Sequence, residues 1–153
     1  LPDRNGVRTP MQWNAESDAG FSEAPVQSLY SPIIDDDVYG PQKVNVEIQS
    51  KNALSMWNTI RHMIATRKEH HAFGWGEFEW IDSGSDRVAA YRRSFENETI
   101  LVFQNLSDET QKISYKPKRS IKVRTDLLTK KEYESQDGKV SLEMAPYQYL
   151  WLI

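Results

Sequence analysis

Arg4 and Arg8 stand four residues apart in the string Asp3-Arg4-Asn5-Gly6-Val7-Arg8-Thr9-Pro10-Met11-Gln12-Trp13, and their type and spacing suggest chemistry more than any other residues of the chain. A guanidinium is permanently charged and presents planar forks of N–H groups, which hold a carboxylate or the paired oxygens of a polyol in fixed geometry. Asn5-Gly6 permits a positive-φ turn between the two cations, and Thr9-Pro10 sets the following backbone near an extended conformation. Together these features describe a stiff loop for a sugar or an anion. Arginines at this spacing also fit ordinary surface or structural ion pairs, so the pair alone does not decide between the two.

Other reactive side chains read as structural. Asp35-Asp36-Asp37 gathers hard oxygen donors but lacks the alternating ligands, central Gly and distant Glu of a calcium loop, so a solvated turn is expected. His62, His70 and His71 do not have the spacing that puts two imidazoles on one helical face, and no metal or cofactor site is expected in the chain. One of these histidines is expected to bond a carboxylate or a backbone carbonyl. Tyr91, Phe95, Tyr115, Tyr147, Tyr149 and Trp151 could stack on sugar rings, yet most occupy alternating strand positions and are expected to fill the sandwich core. Asn97-Glu98-Thr99 and Asn105-Leu106-Ser107 match the glycosylation sequon and are read as turn residues.

The elements that must position these groups fall into two parts. Over residues 1 to about 49, Pro2, Pro10, Pro25, Pro32 and Pro41 interrupt any long regular element. Trp13, Phe21, Tyr30, Ile33, Ile34 and Tyr39 in the same stretch argue against disorder and for a long loop built to cover a surface. A helix is expected over about 52–71, with Leu54, Trp57, Ile60 and Ile64 on one face read as core, Ser50 or Asn52 as its cap and Gly74 just beyond its end. Seven strands follow: Glu77 to Ile81, Arg87 to Phe95, Thr99 to Asn105, Gln111 to Tyr115, Ile121 to Leu127, Lys139 to Met144 and Tyr147 to Ile153. Their close spacing predicts an antiparallel sandwich, so the organisation reads as 1–74 for loop and helix and 75–153 for the sandwich.

Composition bounds the partners. With 153 residues and 39% hydrophobic content the chain can hold one ordinary domain or two small pieces. A net charge of −3 gives no broad basic field, which argues against nucleic acid. No apolar run approaches the ~20 residues that cross a bilayer. The absence of cysteine rules out disulfides and thiolate metal sites and suits a reducing compartment, so a cytoplasmic location is expected. The chain opens at Leu1-Pro2 without an initiator Met, as a processed or partial chain would.

Taken whole, the eleven-residue string resembles the loop after the last barrel strand in the α-amylase family, glycoside hydrolase family 13, in its branch of α-glucosidases and trehalose synthases. The likeness continues through Asn14-Ala15, Asp18-Ala19-Gly20-Phe21-Ser22, Val38-Tyr39-Gly40, Val44-Asn45-Val46-Glu47 and Arg67 to Gly74, and it fades from about Ala90. The resemblance implies a mainly β chain: a C-terminal antiparallel β-sandwich preceded by a long loop and the last helix of a (β/α)8 barrel whose remainder is absent. In such barrels the active site is assembled at the C-terminal ends of the strands. By the resemblance, Arg4 matches the arginine that pairs with an upstream aspartate and bonds hydroxyls of the sugar beside the scissile bond, and Arg8 matches one that braces the loop.

Retaining glycoside chemistry needs two carboxyl groups about 5–5.5 Å apart. The resemblance puts them, with a third Asp, on earlier barrel strands, so no catalytic residue is expected in this chain and the chain alone is expected to be inactive. The implied parent enzyme interconverts maltose and trehalose, with maltose, trehalose or related α-glucosides and the rest of its own barrel as partners. The long loop would serve as a lid that keeps water out. Two alternatives stay open: an α-1,6- or α-1,4-glucosidase of the same family, and a non-catalytic glucan-binding or structural sandwich.

Overall fold

The structure, a computed structural model, describes residues 8–117, 123–136 and 138–153, without the side chain of Gln136. The chain divides into two compact units, Leu1–His62 and Met63–Ile153.

The first unit is mostly irregular, as its prolines require, with short 3-10 turns at Ser17–Gly20 and Val26–Ser28. Its first α-helix is α1 (Val46–Lys51), whose first N–H groups find acceptors outside the helix. The amides of Val46 and Glu47 donate to the carbonyls of Gln12 (2.9 Å) and Trp13 (3.0 Å), and Asn45 Oδ1 accepts from Ile48 N at 2.7 Å. These are the groups that a helix start leaves orphaned.

Helix α2 (Met56–Glu69) begins in the first unit and ends in the second. It is shorter than the expected span because the chain breaks after Asn52, which ends α1. Ser55, rather than Ser50 or Asn52, caps it: Ser55 Oγ accepts from Asn58 N (3.2 Å) and donates to Gln49 O (2.6 Å). The side-chain amide of Asn58 reaches back to the carbonyls of Gln49, Ser50 and Asn52, satisfying the end of α1. Arg67 and Lys68 occupy the last turn of α2, where cations suit the helix dipole.

The face of α2 read as core is open. Leu54, just before the helix, is 91% exposed, and Trp57, Ile60 and Ile64 on it are 46%, 45% and 50% exposed. On the other side, Met63 packs among apolar residues and Thr66 is buried.

In the second unit α3 (His71–Trp75) contains Gly74 and ends at Gly76. A side chain at Gly76 would come within 2.8 Å of the carbonyls of Ala72 and Ser94, so this close approach of helix and strand needs glycine. Eight strands follow: β1 (Glu77–Trp80), β2 (Val88–Phe95), β3 (Glu98–Asn105), β4 (Gln111–Tyr115), β5 (Val123–Thr125), β6 (Glu132–Gln136), β7 (Lys139–Met144) and β8 (Tyr149–Leu152). They form two antiparallel sheets, ordered β1-β2-β3-β8 and β4-β7-β6-β5. Strand β6 is the one that the sequence concealed, because Glu132-Tyr133-Glu134-Ser135-Gln136 offers a single apolar side chain to a period-2 reading.

The sheets pack face to face through Val88, Ala90, Leu101, Phe103, Leu150 and Leu152 from one and Ile113, Val140 and Met144 from the other. Successive strand residues point to opposite faces. In β3 this sends Leu101 and Phe103 into the sandwich and Ile100 and Val102 to the outer face, where they meet Ala72, Leu127 and Trp151. The run Ile100-Leu101-Val102-Phe103 is therefore buried throughout.

The strand aromatics divide differently from expectation. Tyr115 packs on the sandwich core, Tyr91, Phe95 and Trp151 belong to the outer cluster, and Tyr147 and Tyr149 are exposed. Asp126 ties the sheets at one edge, its Oδ1 accepting from Trp151 N (2.9 Å) and its Oδ2 from Thr129 N (3.0 Å) and Thr129 Oγ1 (2.5 Å).

Candidate functional site

Of the two candidate binding residues, Arg4 lies outside the described residues and Arg8 is exposed. Arg8 borders a cavity of about 250 Å³ shared with Thr9, Pro10, Phe21, Leu29 and Tyr30. An aromatic face beside a guanidinium suits a molecule with an apolar ring face and a hydroxyl edge.

The rest of the string builds scaffold. Gln12 Nε2 donates to Tyr39 O (2.9 Å) and Val44 O (2.6 Å), and the Gln12 and Trp13 carbonyls cap α1. Gln12 and Trp13 thus pin their part of the chain to the segment that leads into α1. From the other side, Trp13 N and Asn14 N both donate to Ala19 O, at 2.8 and 3.2 Å.

Aiming that carbonyl takes three consecutive left-handed residues, Asp18 (φ 53°), Ala19 (φ 54°) and Gly20 (φ 66°). The left-handed region costs a non-glycine residue roughly 1–2 kcal/mol. At Gly20 a Cβ would also come within 2.6 Å of the Asn14 side chain. Gly20 and, more weakly, Asp18 are the residue types here that signal such a turn, whereas an Ala does not announce positive φ.

Asp36 organises the loop further on. Its Oδ1 accepts from Val38 N (2.8 Å) and Tyr39 N (2.5 Å), and these bonds hold its carboxyl below the usual value. Asp35-Asp36-Asp37 is thus a turn, as expected. Beside the pinned loop lies a larger cavity of about 600 Å³, bordered by Met11, Val44, Met56, Trp57 and Ile60, with the buried Gln12 Oε1 lacking a hydrogen-bond partner among the described residues.

No Asp or Glu borders either of these two cavities among the described residues. Likewise, no group of three or more His, Cys, Asp or Glu among them is placed to hold a metal ion. In the second unit His70 finds its carboxylate: Nδ1 lies 2.6 Å from Glu98 Oε1, while Glu98 Oε2 accepts from Ala72 N at 2.7 Å. Glu98 therefore fastens the start of α3 to β3, and the site residues that the structure brings together are supporting groups.

Two family models match the chain: alpha amylase, catalytic domain, over residues 2–76, and maltogenic amylase, C-terminal domain, over residues 78–151. Among curated proteins it is 43% identical over 116 residues to the trehalose synthase/amylase TreS of Mycobacterium tuberculosis, covering 74% of this chain and 19% of that protein. It is 35% identical over 152 residues to the trehalose synthase of Thermus thermophilus, covering 97% and 16%. A similar relation, 35% over 108 residues with 71% and 19% covered, holds with the glucan 1,6-alpha-glucosidase of Streptococcus dysgalactiae. Among solved structures, a mutant of the trehalulose synthase MutB in complex with Tris matches 97% of this chain and 26% of that one at 26% identity, with a TM-score of 0.73. The chain spans less than a fifth of the length of each of these curated relatives.

Proposed function

This chain belongs to the α-amylase family of glycoside hydrolases, and on that premise we propose that it is the C-terminal part of a trehalose synthase-like enzyme that interconverts maltose and trehalose. In this reading residues 1–74 are the last barrel loop and helix, and 75–153 are the C-terminal sandwich. The observation that carries it is a recognition loop pinned by hydrogen bonds next to uncovered apolar surface, Met11, Trp57 and Ile60 above all. Such a surface suits the rest of a catalytic domain.

The chemistry is a retaining double displacement whose carboxylates lie on parts of the enzyme other than this chain. A carboxylate attacks the anomeric carbon as the glycosidic C–O bond breaks and a second carboxyl group protonates the leaving oxygen; the released glucose turns within a site closed to water, and its anomeric hydroxyl, giving its proton back to that second group, displaces the first carboxylate. Arg4 positions the sugar by bonding its hydroxyls, and Arg8 braces the loop. A charge-assisted bond contributes roughly 1.5–3 kcal/mol, enough to orient a sugar and far too little to cleave one.

In the enzyme that contains this chain, Arg4→Ala is expected to lower kcat/KM for maltose about 10–100-fold with the fold retained. The 153-residue chain by itself is expected to form no trehalose. Turnover of maltose by that chain alone would overturn the reading. The likeness to a glucan 1,6-alpha-glucosidase favours a second reading, hydrolysis at the same site. Glucose released in place of trehalose by the intact enzyme would select it.

No helix among the described residues is long and apolar enough to cross a membrane. A cytoplasmic location remains part of the proposal.

A further inference from the structure

We infer that the sandwich unit binds an oxyanion, a carboxylate or a phosphate group, in the cavity that Arg124 borders. Arg124 sits in β5 opposite Tyr133 of β6 and is 2% exposed. Its Nε and Nη1 are buried and have no hydrogen-bond partner among the described residues. Arginine is almost never buried to this extent without a partner, and an uncompensated interior charge is strongly unfavourable, so such a group calls for an explanation. Desolvation pulls the Arg124 guanidinium below its usual value, with the nearby Tyr115 opposing that effect.

The cavity measures about 560 Å³, within the size range of small-molecule sites. Its other charged side chains are already engaged or face water. Arg92 pairs with Glu79. Glu98 is taken by His70 and the Ala72 amide. Glu69 and Glu96 are exposed, where solvent and salt screen them. Among the described residues, Arg124 is thus the buried side-chain charge in this cavity that lacks a counter-ion. A neutral sugar could accept its hydrogen bonds but would leave the buried charge standing. An oxyanion meets both requirements, and the fork geometry of the guanidinium matches carboxylate and phosphate alike.

The test uses the full chain, titrated at constant ionic strength with inorganic phosphate and, separately, acetate, and followed by calorimetry and by the amide resonances of β5 and the β2–β3 turn. Saturable binding of at least one anion is expected, weakened on the order of 10–100-fold in Arg124→Met and less in Arg124→Lys. The tighter of the two anions names the source. Because phosphate also stabilises proteins non-specifically, equal responses in wild type and Arg124→Met would overturn the proposal. So would binding of maltose with no response to either anion. In anion-free buffer Arg124→Met should unfold at the same temperature as wild type or higher, since it removes an unpaired interior charge; if both variants instead fail to fold, the wild-type titration alone decides, absence of saturation counting against the site.

Discussion

The two units of this chain are held together by different forces. Among the described residues Pro10 and Ala19 are the only buried apolar side chains of Leu1–His62, whereas Met63–Ile153 contains two apolar clusters that share β3 and β8. The first unit is organised by short polar side chains, Gln12, Asn14, Asp36, Asn45, Ser55 and Asn58, each bonded to backbone. Hydrogen bonds specify geometry but contribute little net stability, while burial contributes much and specifies less. The first unit therefore has a defined shape with its apolar surface still uncovered, and the second has a self-sufficient core.

Truncation of a central core residue probes that difference most sharply. Phe103→Ala should cost about 3–5 kcal/mol, read from urea unfolding of the chain, because it empties the centre of the sandwich. Leu54→Ala, at a fully open site, should stay within about 0.5 kcal/mol in the same assay. Equal effects would mean that the first unit has an apolar core of its own and would break the comparison. In the intact enzyme the proposed function predicts the opposite for Leu54 and its neighbours Trp57 and Ile60, whose truncation should then destabilise by amounts typical of buried residues.

A polar anchor inside the apolar unit ranks next. Asn105 is buried, and its Nδ2 donates to the carbonyls of Glu109 (2.7 Å), Ala145 (2.9 Å) and Met144 (3.4 Å). Asn105→Ala leaves those carbonyls without this donor and should cost about 1–3 kcal/mol in global unfolding. A negligible change would show that water replaces the amide there. In the first unit the corresponding test is Asn45→Ala, which removes the cap on Ile48 N and should cost about 1 kcal/mol. Its signature should be local: faster hydrogen exchange at Ile48 and Gln49 with the exchange of β3 unchanged. Faster exchange in both places would show that the units unfold together.

The sandwich was largely legible in the sequence because short β-rich runs are set off by turn residues, and Ile100-Leu101-Val102-Phe103, buried on both faces, reads as a continuous apolar strand. Strand β6 left no such signal, since among its described side chains Tyr133 is the one that packs on the core. The open face of α2 was misread for a reason of the same kind: a stripe such as Leu54-Trp57-Ile60-Ile64 reports that a helix face will be covered and is silent about which chain segment covers it. The string Asp3 to Trp13 pointed to the family, but the part that its described residues play in the fold was not legible. Gln12 and Trp13 act through a side-chain amide and two carbonyls directed at α1, and backbone carbonyls carry no sequence signature.

The smallest expected effect also separates the units, by pH. Asp36 accepts the amides of Tyr39 and Val38, and these bonds lower its carboxyl below the usual 3.8. A carboxyl lowered on folding adds stability that is present above its unfolded value and lost as pH falls through the folded one. The turn at 36–40 should therefore hold at about pH 5 and loosen below 3.8, where protonation weakens an acceptor that both amides need. Carboxyl titration by NMR should give a midpoint under 3.8, with the Val38 and Tyr39 amides moving together through it, while the amides of Leu101 and Phe103, paired with backbone inside an apolar sheet, stay still over that range. Asp36→Asn keeps an acceptor oxygen and removes the proton equilibrium, so the pH response of the turn should vanish with its structure largely kept. If the strand amides instead shifted in step with the turn, acid would be opening the whole chain at once, and the first unit would owe its order to the second rather than to its own hydrogen bonds.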